Sequence, residues 1–310
     1  MQITNRNIFI GFSIIIIILP LIFTSSYSLS IATFSAINSL IAIGLCVLMG
    51  YAGQVSLGQA GFYGIGAYVS SILSIHLGLP VIFACIVAMI ASALSAVILA
   101  IPALRLKGHY LAVATLGFGE IIHIILNEWG PGGPSGFGDI PRFNLFGFVF
   151  DTVMEYYYLS WFVVMIVMAF SINLINSRFG RALRSIHDSE IASNAMGVDV
   201  PKLKIKAFVL SAVFAALGGS LYAHYVTFIS PSSFSLFQSV LVLMMVVVGG
   251  ITNLWGAVVG SIIITILPEL LREFKEYDIL VYGIILILTL LFFNKGLVPI
   301  VIEKLQKVKP

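Results

Sequence analysis

Residues 177–206 read SRFGRALRSIHDSEIASNAMGVDVPKLKIK. They lie between two long apolar segments and hold six of the chain's sixteen Lys and Arg residues: Arg178, Arg181, Arg184, Lys202, Lys204 and Lys206. A basic cluster beside an apolar span marks the cytoplasmic side of a membrane. The local grammar predicts a short folded hook. Asp188 or Ser189 caps a helix start, Ile191, Ala195 and Met196 give it an apolar face, and Gly197 stands where a left-handed stop is expected. A second start follows at Asp199, with Pro201 in an early-turn position. A helix of two turns is marginal alone, so this one is expected to dock on something. The plainer alternative is a basic loop that only sets orientation.

Composition places the hook in a membrane protein. Apolar residues make up 60% of the 310 and charged residues 9%, with a mean hydropathy of +1.09. Soluble domains carry about a quarter charged residues. The net charge of +3 follows the loops and is no nucleic-acid footprint. Cys46 and Cys85 are expected at opposite ends of their helices, too far apart for a disulfide. No metal-ligand spacing occurs, and no cofactor or metal is expected on this chain.

The expected fold is all-α: a polytopic membrane bundle of about ten segments forming one domain over 1–310. Ile8–Phe23 is read as a retained first helix. A cleaved signal peptide is the alternative, since Ser26 and Ser28 offer small residues. The further segments are 31–49, 57–76, 80–101, 109–127, 157–176, 205–226, 236–250, 254–270 and 278–294. Several fall near or below the ~20 residues of an upright span. With both termini inside, Lys and Arg divide thirteen to three in favour of the inner loops, as the positive-inside rule requires. The hook then falls between spans six and seven.

Three further stretches carry polar residues into apolar surroundings. Gly50–Tyr68, GYAGQVSLGQAGFYGIGAY, interleaves six glycines with Gln54, Ser56 and Gln59. Membranes tolerate non-helical backbone only inside protein or beside a water-filled cavity. These residues therefore either pack helices or line a solute path. Met244–Ser261 repeats the pattern more weakly, and paired glycine-broken regions point to transporters built on an internal repeat. Arg105–Trp129 carries Glu120 and His123 within its span. Such a carboxylate is expected to face the bundle interior or a cavity, and structural bonding, path lining and proton coupling all remain open to it. The long loop 127–156, with GPGGPSGFGD and the apolar FNLFGFVF at 143–150, is placed outside, where it connects, caps a path or receives a soluble partner.

No GxxxxGK[ST], HExxH or GxSxG is present, so neither a P-loop ATPase nor a hydrolase is supported. The motifs GYAGQVSLGQAGFYGIGAY (50–68), RLKGHYLAVATLGFGEIIHIILNEW (105–129), SRFGRALRSIHDSEIASNAMGVDV (177–200), AFVLSAVFAALGGSLYAHYVTFISPSSF (207–234), VVVGGITNLWGAVVGS (246–261) and FFNKGL (292–297) run in order along nearly the whole chain. Together they resemble the LivM-type permease subunit of bacterial branched-chain amino acid ABC importers. The resemblance implies a non-catalytic, multi-pass inner-membrane subunit. It also implies cytoplasmic ABC ATPases, a second related permease and an extracytoplasmic solute-binding protein as partners. By resemblance 177–206 is the ATPase-docking loop, with Glu190, Ala195 and Gly197 at its core and Arg181 and Arg184 flanking it. Gln54, Ser56, Gln59, Glu120 and His123 are the candidates for the translocation path. The chain departs from the family pattern at GPGGPSGF, at Ile251–Thr252–Asn253 and in a tail without the usual proline, which leaves urea, short amides and other amino acids as alternative solutes.

Overall fold

The computed structural model describes residues 5–22, 25–103, 108–145, 147–270, 283–284 and 296. The first nine apolar segments are helical: α1 (Asn5–Ile22), α2 (Ser26–Cys46), α3 (Gln59–His76), α4 (Val81–Ala103), α5 (His109–Trp129), α6 (Val153–Asn176), α9 (Val200–Val226), α10 (Leu236–Gly249) and α11 (Leu254–Leu270). Two short helices, α7 (Arg178–Asp188) and α8 (Glu190–Ala195), form the hook. Five of these helices are long and apolar enough to cross a membrane. The expected segment 278–294 lies outside the described residues apart from Gly283 and Ile284, as do Arg105, Lys107, Arg272, Lys275 and the tail lysines.

Short turns alternate between two ends of the bundle, one carrying the hook and the other the loop after α5. That loop corrects the all-α expectation in one detail. Its apolar stretch folds on itself as an antiparallel hairpin, β1 (Asn144–Leu145) paired with β2 (Phe148–Val149). Asn144 Oδ1 accepts from Gly147 N at 2.9 Å, and Gly147 has φ +95. Side-chain closure of a tight turn by Asn before a left-handed Gly is favoured over a flat surface-bound strand.

α2, α3 and α9 form the centre. α3 and α9 touch backbone to backbone. A Cβ on Gly66 would stand 2.2 Å from Ala216 O, and one on Gly219 would stand 2.0 Å from Tyr63 O. Between apolar helices in lipid, close van der Waals approach through small residues replaces the hydrophobic drive as the source of association. Hydroxyls reinforce the contact: Ser220 Oγ donates to Gly66 O at 3.1 Å and Ser92 Oγ on α4 to Ala212 O at 3.0 Å. A second seam joins α10 to α11, where Gly249 lies against Gly256 and Gly260 against Met245 O. Gly296 packs back onto Gly249 and Gly250.

α1 is attached from outside. Pro20 lies inside it, and proline leaves the carbonyl four residues earlier without its helical donor. Tyr157 of α6 supplies the replacement, its hydroxyl donating to Ile16 O at 3.0 Å. Phe12 stacks edge-on against Trp161 and Trp255 at 5.5 and 5.4 Å between centroids.

The α3–α9 contact makes a direct prediction. Gly219→Val should destabilise the bundle by about 1–3 kcal/mol, the usual cost of overpacking. It should lower the melting temperature in detergent, whereas Gly11→Val, with nothing within 4 Å of its Cβ, should leave it unchanged.

Candidate functional site

α2 does not run straight into α3. It widens into a π turn over Val47–Tyr51, then continues without helix through 53–58. The interruption exposes the first N–H groups of α3, which lack helical acceptors. Two neighbouring helices supply acceptors, one to the unwound segment and one to the first turn of α3. Thr115 Oγ1 of α5 accepts from Leu57 N at 2.9 Å, and Ser239 Oγ of α10 accepts from Ala60 N at 2.9 Å. Gly53 adopts φ +66, and a Cβ on Gly58 would lie 2.6 Å from Thr115 O. The glycines therefore serve packing and an unwound backbone together.

The three polar candidates here are all buried. Gln59 Nε2 donates to Ser211 Oγ of α9 at 3.0 Å, while its Oε1 has no partner. Ser56 Oγ accepts weakly from Gly58 N at 3.4 Å. Gln54 is 1% exposed, and neither its Oε1 nor its Nε2 makes a hydrogen bond. Leaving a buried amide unmet costs on the order of 1–3 kcal/mol.

Glu120 and His123 do not join this group; of the two expected placements, bundle interior or cavity, the described residues do not put them in the interior. α5 is the least buried of the five long apolar helices. Its packed edge is the small-residue side, where Gly119 meets Gly61. Glu120 and His123 lie away from that edge, their side chains 47% and 24% exposed, with Glu120 Oε1 3.7 Å from His123 Nδ1. Tyr110, Val113, Ile121 and Ile124 are exposed on the same helix.

The hook is a capped and fixed structure. Ser189 Oγ accepts from Ala192 N at 3.3 Å, and α8 ends at Gly197, φ +82, where Val198 N returns to Ser193 O at 3.0 Å. Asp199 Oδ1 then caps α9 by accepting from Lys202 N at 3.3 Å. The Lys202 ammonium beside it holds the Asp199 carboxyl below the usual carboxylate range. Glu190 is turned inward, its Oε1 2.5 Å from Nζ of the buried Lys204 on α9. Arg181 and Arg184 are also turned back. Their guanidinium groups donate to Asn176 O at 3.0 Å and Ile175 O at 3.1 Å, satisfying carbonyls at the C-terminal end of α6. Ala195 and Gly197 are exposed. Two large apolar side chains of the hook face outward: Ile191 is 83% exposed and Met196 84%.

Several participants have no signature in the sequence. α7 was not among the expected helices; its Gly180 packs where a Cβ would meet Ile175 O at 2.1 Å. Lys204 is fourteen residues from Glu190 and on another helix. Thr115, Ser211 and Ser239 are single hydroxyls in apolar runs. His224 is buried near the hairpin end, with Nδ1 2.7 Å from Pro141 O.

The family model for the branched-chain amino acid transport system / permease component matches residues 27–290. The high-affinity branched-chain amino acid transport system permease protein LivM of Salmonella typhimurium is 34% identical over 304 residues, covering 90% of this chain and 72% of that protein. LivM of Escherichia coli gives the same figures. A probable LivM of Methanocaldococcus jannaschii is 27% identical over 241 residues, 70% of this chain and 68% of its own length. No solved structure matches. With nine apolar helices among the described residues, an interrupted glycine-rich entry and a basic hook, these matches establish that the chain is a multi-pass membrane protein of the branched-chain amino acid transport system permease family.

Proposed function

We propose that this chain is the transmembrane permease subunit of an ATP-driven importer of branched-chain, hydrophobic amino acids. It provides walls and a lever, and a partner ATPase hydrolyses the nucleotide. The observation that carries the reading is the pair of exposed apolar side chains, Ile191 and Met196, on a helix fixed at both ends by caps. Apolar groups held out on a rigid tip beside a basic surface need a protein partner. A cytoplasmic ABC ATPase subunit fits, because its movement on ATP binding reaches α9 through the Glu190–Lys204 contact. Glu190, Arg181 and Arg184 position the hook, while Ile191, Met196, Ala195 and Gly197 present it.

The same reading places ten spans with both termini inside a bacterial inner membrane. It places α8 between spans six and seven, and the loop 127–156 outside, facing a solute-binding protein. Glu120 and His123 support a second related permease as partner. A carboxylate facing lipid near mid-span costs about 2.5–3.5 kcal/mol on insertion scales. Covering α5 with a second permease removes that cost and puts the pair on the path between the subunits. The unmet amides of Gln54 and Gln59, with Ser56, lie behind the same α3–α5 contact and are available when the interrupted segment rearranges. Other family relatives are named for different solutes, including the guanosine ABC transporter permease protein NupQ of Bacillus subtilis, 26% identical over 192 residues. A different small solute is therefore the second reading.

Ile191→Asp and Met196→Asp should each reduce ATP-dependent leucine uptake by about tenfold or more, the effect of losing roughly 1.4 kcal/mol or more of coupling, while the chain still inserts in the membrane. Uptake that survives ATP depletion and collapses with an uncoupler would instead favour a lone carrier using Glu120 and His123. Glu190→Lys should leave the buried Lys204 facing a like charge and lower uptake. The exchanged pair Glu190→Lys with Lys204→Glu should recover much of it, as a double-mutant cycle measures.

A further inference from the structure

The interrupted entry, the α5 face and the hook leave a partly open, mostly neutral pocket between helices to explain. α2, α3, α9, α10 and α11 surround a cavity of about 300 Å³ in the hairpin half of the bundle. That volume is at the lower end of the ~300–1,000 Å³ typical of small-molecule sites. A chain of amides and a hydroxyl crosses it from helix to helix. Gln238 Nε2 donates to Asn38 Oδ1 at 3.4 Å, and Asn38 Nδ2 donates to Thr265 Oγ1 at 2.9 Å. Elsewhere on the wall the Tyr222 hydroxyl donates to Ser233 Oγ at 3.3 Å.

Tyr63 is the informative residue. It is 3% exposed and lines the cavity, yet its hydroxyl has no hydrogen-bond partner among the described residues. The ring is buried, but the hydroxyl oxygen is not among the buried unpartnered atoms, so it is open to a ligand in the pocket. No residue lining the cavity carries a formal charge, and Phe34, Leu241 and Ile264 give it an apolar side. Neutral donors and acceptors together, with an apolar wall, suit a small solute that has a polar head, no net charge and a short hydrocarbon tail.

We propose that this cavity binds a zwitterionic aliphatic α-amino acid. The choice of an amino acid, among net-neutral amphipathic solutes, rests on the transport reading above. The free Tyr63 hydroxyl and the amide N–H groups of Asn38 and Gln238 donate to the carboxylate. Gln238 Oε1 and Thr265 Oγ1 accept from the ammonium, and Phe34, Leu241 and Ile264 hold the side chain. The head is internally neutral, so the site needs no counter-charge. A side chain with its own charge would be desolvated here without a partner. Glutamate and lysine are therefore excluded by the same walls that accept leucine. The site contains neither Glu120 nor His123 and is a binding position separate from the α5 face.

Thiol protection in membranes carrying the full importer tests this. Leu241→Cys, in a chain whose native Cys46 and Cys85 are both buried, is reacted with a small water-soluble thiol reagent. With leucine at about ten times its dissociation constant, about a tenth of sites remain free and modification should slow about tenfold. Glutamate and lysine should not slow it, and adding Tyr63→Phe should weaken the protection by leucine. If Leu241→Cys does not accumulate, Ile264→Cys reports on the same wall. Wild-type membranes that take up leucine, combined with a cysteine that is unreactive, unprotected or protected equally by all three solutes, would overturn the site alone. Wild-type membranes that take up no leucine would overturn the transport reading and the amino-acid assignment with it.

Discussion

The close contact of α3 with α9 is the constraint on which the rest of the molecule depends. Gly66 and Gly219 bring the two backbones together without intervening side chains. This contact fixes the height of α3, and with it the place where α3 must begin. Helical backbone does not fill the gap between α2 and α3, so the chain crosses it unwound. The freed N–H groups take hydroxyls from α5 and α10. In a hydrocarbon environment unmet backbone groups are too costly to keep. Thr115 and Ser239 are therefore part of what allows the interruption to exist.

α9 links the distant parts. Its 27 residues span about 40 Å at 1.5 Å per residue. One end begins at the capped Asp199 and holds Glu190 through Lys204. The middle carries Ser211 against Gln59, then Gly219 against α3. The far end brings Tyr222 to the cavity wall and His224 to Pro141 in the loop. A force applied at the hook is delivered to a rigid rod that touches the interrupted entry, the cavity and the hairpin-end loop. Coupling between distant sites is carried by packed rigid elements of this kind when they have two arrangements to choose between.

Much of this was legible in the sequence. Long apolar runs marked the helices because membrane burial demands about twenty apolar residues regardless of packing partner. The second half of the hook was readable, since caps at Ser189, Gly197 and Asp199 act within four residues of where they stand, whereas α7 was not. Tertiary placement was not. Glu120 was expected in the bundle interior or at a cavity because a carboxylate avoids lipid, but that argument does not say which face of the helix packs, and its side chain is 47% exposed among the described residues. Glu190 was expected in the core of the docking loop, but its bond to Lys204, a residue on another helix, was not readable. The Asn38–Gln238–Thr265 wall was invisible for the same reason. Each is a single neutral polar residue in an apolar helix, and only the packing of three helices brings them together.

The central claim is that the hook tip carries force from an ATPase into α9. The most direct test replaces Ile191 with a photo-cross-linking amino acid, irradiates intact cells and identifies the covalent partner of the purified chain by mass spectrometry. The account predicts a cytoplasmic ABC ATPase subunit cross-linked at that position. Recovery of lipid adducts alone, from a chain that still supports leucine uptake, would contradict it.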